Sequence, residues 1–117
     1  MFLTAPALYP AKDGWTLRDP LVFVYRGKKL TVPAESFTDL SSIPKWLPIL
    51  VVLFNPIAGK DRYPAVLHDY LYRTKWGTRA ECDKVYLVAM KSTGVSWLKR
   101  HALYAGVRAG GWTRGNW

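Results

Sequence analysis

Apolar and polar positions follow two different rhythms along this chain, and the change comes near residue 60. In the first half the apolar residues fall in short β-branched and aromatic runs. Leu21-Val22-Phe23-Val24-Tyr25 is one such run; Arg26-Gly27-Lys28 and then Lys29–Val32 follow it, which predicts a hairpin closed by Pro33. Upstream, Asp13-Gly14 separates Ala7–Lys12 from Trp15–Arg18 and marks a second hairpin turn. From Pro64 onward the spacing is helical. Val66, Leu67, Tyr70 and Leu71 share a broad apolar face over Pro64–Arg73, with Pro64 in a first turn, where its missing N–H costs nothing. Thr78-Arg79-Ala80-Glu81 has the form of a capping box, so a second helix should run to about Ser92 and stop at Gly94. Ser96 can cap a third helix, Trp97 to about Arg108, ended by Gly110-Gly111.

Between these halves lies a stretch without clear period. Ser36 to Pro44 is dense in side chains that bond nearby backbone, which favours turns over regular elements. The run Trp46–Phe54 is the longest apolar segment, nine residues with Pro48 inside it. It reads either as core or as an exposed partner surface, and in the second case Trp46, Leu47, Leu50 and Phe54 are the interface candidates. The expected architecture is one α+β domain over 1–117. It comprises β-hairpins in 1–35, a loop and apolar segment in 36–60, a three-helix core in 64–110 and a basic, aromatic tail in 111–117.

Composition narrows the classes. Half of the 117 residues are hydrophobic, enough for a folded core. The single cysteine, Cys82, excludes an internal disulfide framework and a four-cysteine zinc site. No apolar run approaches the roughly 20 residues of a spanning helix, and the first residues lack the features of a secretory signal. The net charge of +9 points to polyanionic partners, and 17 aromatic residues, six of them Trp, suit an interface with lipid or protein. The excess is uneven. After Asp83 the chain carries Lys84, Lys91, Lys99, Arg100, Arg108 and Arg114 with no acid. No groove-reading motif or stacking platform accompanies these charges, so specific nucleic-acid binding is not expected.

The scarce acids sit near candidate chemistry. His68 and Tyr72 are i and i+4 on one helix face, and Asp69 is turned by about 100°. If the first two helices pack antiparallel across Thr74–Thr78, Asp83 can face His68. A carboxylate there would fix the imidazole tautomer and leave the other nitrogen to take a proton from water. Tyr72 could donate to the same carboxylate. Asp69 could hold a hard cation with loop carbonyls. The same spacing also suits a structural histidine with a capping carboxylate. Asp39, in its Thr-Asp-x-Ser-Ser turn, reads as a turn former or as a further oxygen ligand for calcium or magnesium. Cys82 reads as a small buried thiol, and His101 as a packing or surface residue.

The stretch His68-Asp69-Tyr70-Leu71-Tyr72-Arg73 followed by Glu81-Cys82-Asp83-Lys84 resembles the two active-site helices of phospholipases A2. The segment Ala102–Gly110 resembles the closing helix of the small bacterial and fungal members. The resemblance covers residues 66–110 and implies a lipid ester hydrolase. In it His68 would be the general base, Asp83 its orienting partner, Tyr72 a support for Asp83 and Asp69 a ligand of Ca2+. The Gly-rich calcium loop of that family has no clear counterpart, since only Gly59 lies in the matching place; the backbone around Ala58–Lys60 and the Thr38–Ser42 turn with Asp39 are the substitutes. The chain from about 20 to 110 is also similar to a family of small proteins of tailed phages and prophages. The matching pieces are Phe37–Pro44, Val66–Tyr72 and Asp83. That similarity implies a phage virion or an infected bacterial cell as its setting. The partners would be anionic membrane lipid or other phage structural proteins. The expected function is hydrolysis during phage entry or release; the alternative is a non-catalytic tail or tail-tip component on the same fold.

Overall fold

The computed structural model describes residues 1–4, 6, 8–11, 14–38 and 62–114. Five strands come first: β1 (Leu8–Ala11), β2 (Gly14–Leu17), β3 (Leu21–Tyr25), β4 (Lys28–Val32) and β5 (Phe37–Thr38). Three helices follow: α1 (Arg62–Arg73), α2 (Arg79–Ser92) and α3 (Trp97–Arg114). The expected α+β class is what the chain adopts.

The β3–β4 hairpin forms as its sequence requires. Arg26 and Gly27 turn between the strands with φ of 51° and 77°, the two positive angles of a type I′ turn. The register pairs Leu21 with Val32 and Phe23 with Leu30, so four buried side chains share one face. β1 and β2 pair antiparallel, but Ala11 lies opposite Gly14, so Gly14 opens the second strand and the connection is residues 12–13. The expected break at Asp13-Gly14 is thus shifted by one residue. A second departure is β5. Phe37-Thr38 lies in the stretch whose composition favours turns, yet it pairs with Thr16 and Trp15 of β2. Two residues are too few to show a period, and their pairing is fixed by the neighbouring strand. The result is two sheets, β1-β2-β5 and β3-β4, one built on each of the two expected hairpins.

The sheets and helices share a core. Leu17, Leu21, Phe23, Leu30 and Val32 pack with Val66, Leu67, Leu71 and Tyr72 of α1 and with Cys82, Val85 and Ala89 of α2. A second cluster joins Ala65 of α1, Tyr86 and Met90 of α2, and Val95, Leu103 and Val107. α2 therefore lies between α1 and α3. Burying a large apolar side chain stabilises by about 1.5–3 kcal/mol, against roughly 1 for a hydrogen bond. The core, and not the polar cluster described below, carries most of the folding energy.

Local signals fix the helix ends. Thr78 accepts from the Glu81 N–H at 3.1 Å while Glu81 accepts from the Thr78 N–H at 3.2 Å, the reciprocal capping box. At the other end of α2, Gly94 adopts φ 82°, its N–H donates to the Lys91 carbonyl, and the Val95 N–H donates to Met90. That pair of bonds is a Schellman motif. The end of α1 has the same bonds, Lys75 to Tyr72 and Trp76 to Leu71, with Lys75 at φ 54° in place of glycine. Ser96 caps α3 through the Lys99 N–H at 3.4 Å. The expected stop at Gly110-Gly111 does not occur, since α3 continues to Arg114. Glycine inside a helix costs only about 1 kcal/mol, which does not end a helix that other residues hold.

Among the described residues, no helix is long and apolar enough to cross a membrane.

Candidate functional site

The α1–α2 pair forms the centre of the site. α1 presents His68 and Tyr72 from one face, one turn apart, and α2 presents Asp83 toward them. His68 Nε2 lies 2.7 Å from Asp83 Oδ1, and the Tyr72 hydroxyl donates to the same oxygen at 2.5 Å. An ionised carboxylate can only accept, so Nε2 carries the hydrogen. In the neutral imidazole this leaves the lone pair on Nδ1. The ring is flanked by two tyrosines: Tyr72 at 4.3 Å and Tyr86, nearly parallel, at 4.7 Å between centroids. His68 and Asp83 are fully buried.

The other carboxylate oxygen faces two guanidinium groups. Arg108 of α3 donates to Asp83 Oδ2 at 2.9 Å. Arg79, one turn before Asp83, stands 3.7 Å from that oxygen and donates to the Arg108 carbonyl at 3.3 Å. Burial alone would raise the Asp83 carboxyl. Hydrogen bonds from His68, Tyr72 and Arg108 outweigh that and hold it below its ordinary value. Tyr72 moves the opposite way. Burial, the bond to Asp83 and the negative charge there push its phenol well up, so it stays a donor.

Asp69 is turned away from this cluster. It is nearly buried, and its Oδ2 pairs with Arg73 Nε at 3.1 Å, an i,i+4 contact along α1. Cys82 lies beneath the α1–α2 connection, where its thiol donates to the Trp76 carbonyl at 3.0 Å. Burial first, and then the charges of Asp83 and Glu81, push it up to about 12, which makes it an inert structural thiol. His101 packs half-buried against Trp97, with centroids 4.7 Å apart.

The structure thus brings together His68, Tyr72 and Asp83, as the spacing predicts. Asp69 sits on the same helix but with a different partner. Asp39, Trp46, Leu47, Leu50 and Phe54, and the Ala58–Lys60 backbone, lie outside the described residues. Three members were not expected. Arg79 could have been found, because it precedes Asp83 by four on one helix. Tyr86 follows Asp83 by three and carries a similar signal. Arg108 carries none, since its approach depends on how α3 crosses α2.

The donor set also bears on calcium. Among the described residues, no three His, Cys, Asp or Glu side chains come together in a way that could hold a metal ion. Among the described residues, Asp69 Oδ2 pairs with the Arg73 guanidinium. The described donors alone do not make a calcium cage.

These features define a small α+β protein whose helical hairpin encloses a tyrosine-flanked His–Asp pair. The chain belongs to the DUF1353 family, proteins of unknown function, whose model matches residues 15–107. No curated protein and no solved structure matches the chain.

Proposed function

We propose that the protein is a lipid ester hydrolase of the phospholipase A2-like kind, acting in phage entry or release, in which His68 serves as general base. The observation that supports this most is the shared Asp83 oxygen: Nε2 of His68 and the hydroxyl of Tyr72 both converge on it. That contact fixes the tautomer and gives Nδ1 the acceptor role. In the reaction, Nδ1 takes a proton from water as the water oxygen bonds to the ester carbonyl carbon. The carbon–oxygen bond to the alcohol then breaks, and the imidazolium returns its proton to the departing alkoxide. Asp83 stays ionised throughout and offsets the imidazolium charge. Arg79 and Arg108 keep that carboxylate in place. Calcium belongs to this proposal through Asp69 with donors outside the described residues, where it would supply electrophilic stabilisation of the oxyanion.

The test is fatty-acid release from phosphatidylglycerol vesicles, with calcium and with chelator. Release by the wild type and its loss in His68→Gln are expected. No release under either condition, or equal release by both proteins, removes the hydrolase reading.

A second reading has its own support. His68 and Asp83 are both fully buried, and Asp83 bonds to groups from both flanking helices. A cluster of that kind can serve only to hold three helices in register. The chain would then be a structural tail or tail-tip component, present in stoichiometric amounts in purified particles. Its recovery only from infected-cell lysate would count against this reading.

A further inference from the structure

Outside the His68–Asp83 cluster, the described residues form a cleft of about 450 Å³ between the β3–β4 turn, the α1–α2 connection, α2 and α3. Its walls are aromatic: Tyr25 from the hairpin, Trp76 from the connection and Tyr104 from α3. Its charges are cationic: Arg26 and Lys28 from the hairpin turn, and Lys84 from the exposed face of α2. One carboxylate, Glu81, also lines it, and that group is tied to the Thr78 N–H of the capping box. Three cations against one acid leave a formal excess of two positive charges. Among the described residues no carboxylate stands within ion-pair distance of Arg26, Lys28 or Lys84.

We propose that this cleft binds a phosphate ester carrying a small polar organic group, such as the headgroup of an anionic glycerophospholipid or the free glycerophosphate. Residues far apart in sequence, 25–28, 76, 84 and 104, supply its charges and walls, so the fold and not a local charge run assembles it. Like charges brought together in a concavity, with no carboxylate partner among the described residues, lower the local potential energy of an anion. Lys28 and Lys84 can approach phosphate oxygens as donors, and charge-assisted bonds of that kind are the strong ones. The aromatic walls argue for a headgroup over a nucleic-acid base. Arg26 lies 5.5 Å above the Tyr25 ring, and Trp76 meets Tyr25 edge-on at 6.5 Å, so the Tyr25–Trp76 corner is already packed. A base would need such a face to stack on. A glycerol-sized group needs only apolar contact and nearby donors. Trp97 and Leu98, 64% and 68% exposed at the start of α3, supply apolar surface on the helix that also carries Tyr104. The cleft is separate from the His68–Asp83 cluster, and binding there does not depend on turnover.

The experiment follows backbone amide shifts of the full chain in titrations with glycerophosphate, with inorganic phosphate, and with phosphatidylglycerol or phosphatidylcholine vesicles by co-sedimentation. Saturable shifts at Gly27, Lys28, Trp76 and Lys84 with glycerophosphate, weaker ones with phosphate, are expected for the headgroup chemistry. Retention on phosphatidylglycerol but not phosphatidylcholine vesicles would assign the source as lipid; shifts without retention would assign it as the free ester. The double variant Lys28→Gln/Lys84→Gln should weaken binding by more than tenfold, since it removes two charge-assisted hydrogen bonds to the phosphate. Lys91→Gln, which removes an exposed charge outside the cleft, should change it by less than about twofold. Equal losses in the two variants, no saturable shifts, or tighter binding of a short oligonucleotide would each overturn the proposal. Retained vesicle binding with no fatty-acid release would remove the hydrolase and leave the cleft standing.

Discussion

A carboxylate with no exposed surface must find its compensation inside the protein, and Asp83 finds it in three side chains from the two flanking helices. His68 and Tyr72 supply neutral or weakly polar donors, and Arg108 supplies a full charge. Removing one member of such a group leaves the others buried without their partner, which typically costs about 3–5 kcal/mol. Asp83→Asn should therefore destabilise the chain by about 3 kcal/mol in urea unfolding at neutral pH. The same residue sets an acid limb. Its folded value lies below the 3.8 of the unfolded chain. The stability it gives is complete above the unfolded value and drains away as pH falls through the folded one. Unfolding midpoints taken from about pH 6 down to about pH 2 should fall steeply in the wild type and less so in Asp83→Asn. An equal slope in both proteins would show that Asp83 does not titrate with folding. Of these residues, His68, Tyr72 and Asp83 were legible in the sequence, because i,i+4 spacing and a short connection leave little freedom in where they meet. Arg108 was not, because a contact 25 residues away depends on a helix crossing that no local pattern encodes.

At the scale of elements, the two Schellman ends make a natural comparison. Both need one residue with positive φ after the helix. Gly94 meets that need without steric cost, while Lys75 meets it at φ 54° with a Cβ in the way. Lys75→Gly should stabilise the protein by about 1 kcal/mol, because relief of the left-handed strain exceeds the added freedom of the unfolded chain. Thermal unfolding would show it as a higher midpoint; a lower one would mean that the lysine stem packs usefully where it stands. The capping box and the stop at Gly94 were readable because each is a local bargain between side chain and backbone. β5 and the continuation of α3 past Gly110-Gly111 were not, since both depend on neighbours that are remote in sequence.

On the scale of the molecule, hydrophobic patterning was enough for the α+β class and for the three helices in order. It did not reveal that β5 extends the first hairpin into a three-stranded sheet, because that pairing joins residues remote in sequence. The α1–α2 connection has a consequence for how that molecule comes into being. It is fixed at one end by the Schellman bonds, at the other by the capping box, and across its middle by the Cys82 thiol on the Trp76 carbonyl. His68 and Asp83 are only 15 residues apart. Closing so short a loop costs little entropy and is fast, whereas joining β3 to the helices spans far more chain. The helical hairpin should then be the folding nucleus. Leu67→Ala and Val85→Ala are expected to slow refolding, with φ-values of about 0.5–0.8, and Leu30→Ala chiefly to hasten unfolding, with values of about 0–0.3. The reverse ranking in stopped-flow experiments would place the nucleus in the sheet. On this account the imidazole and its carboxylate meet in the transition state, before the cleft that the hairpin turn completes has any shape.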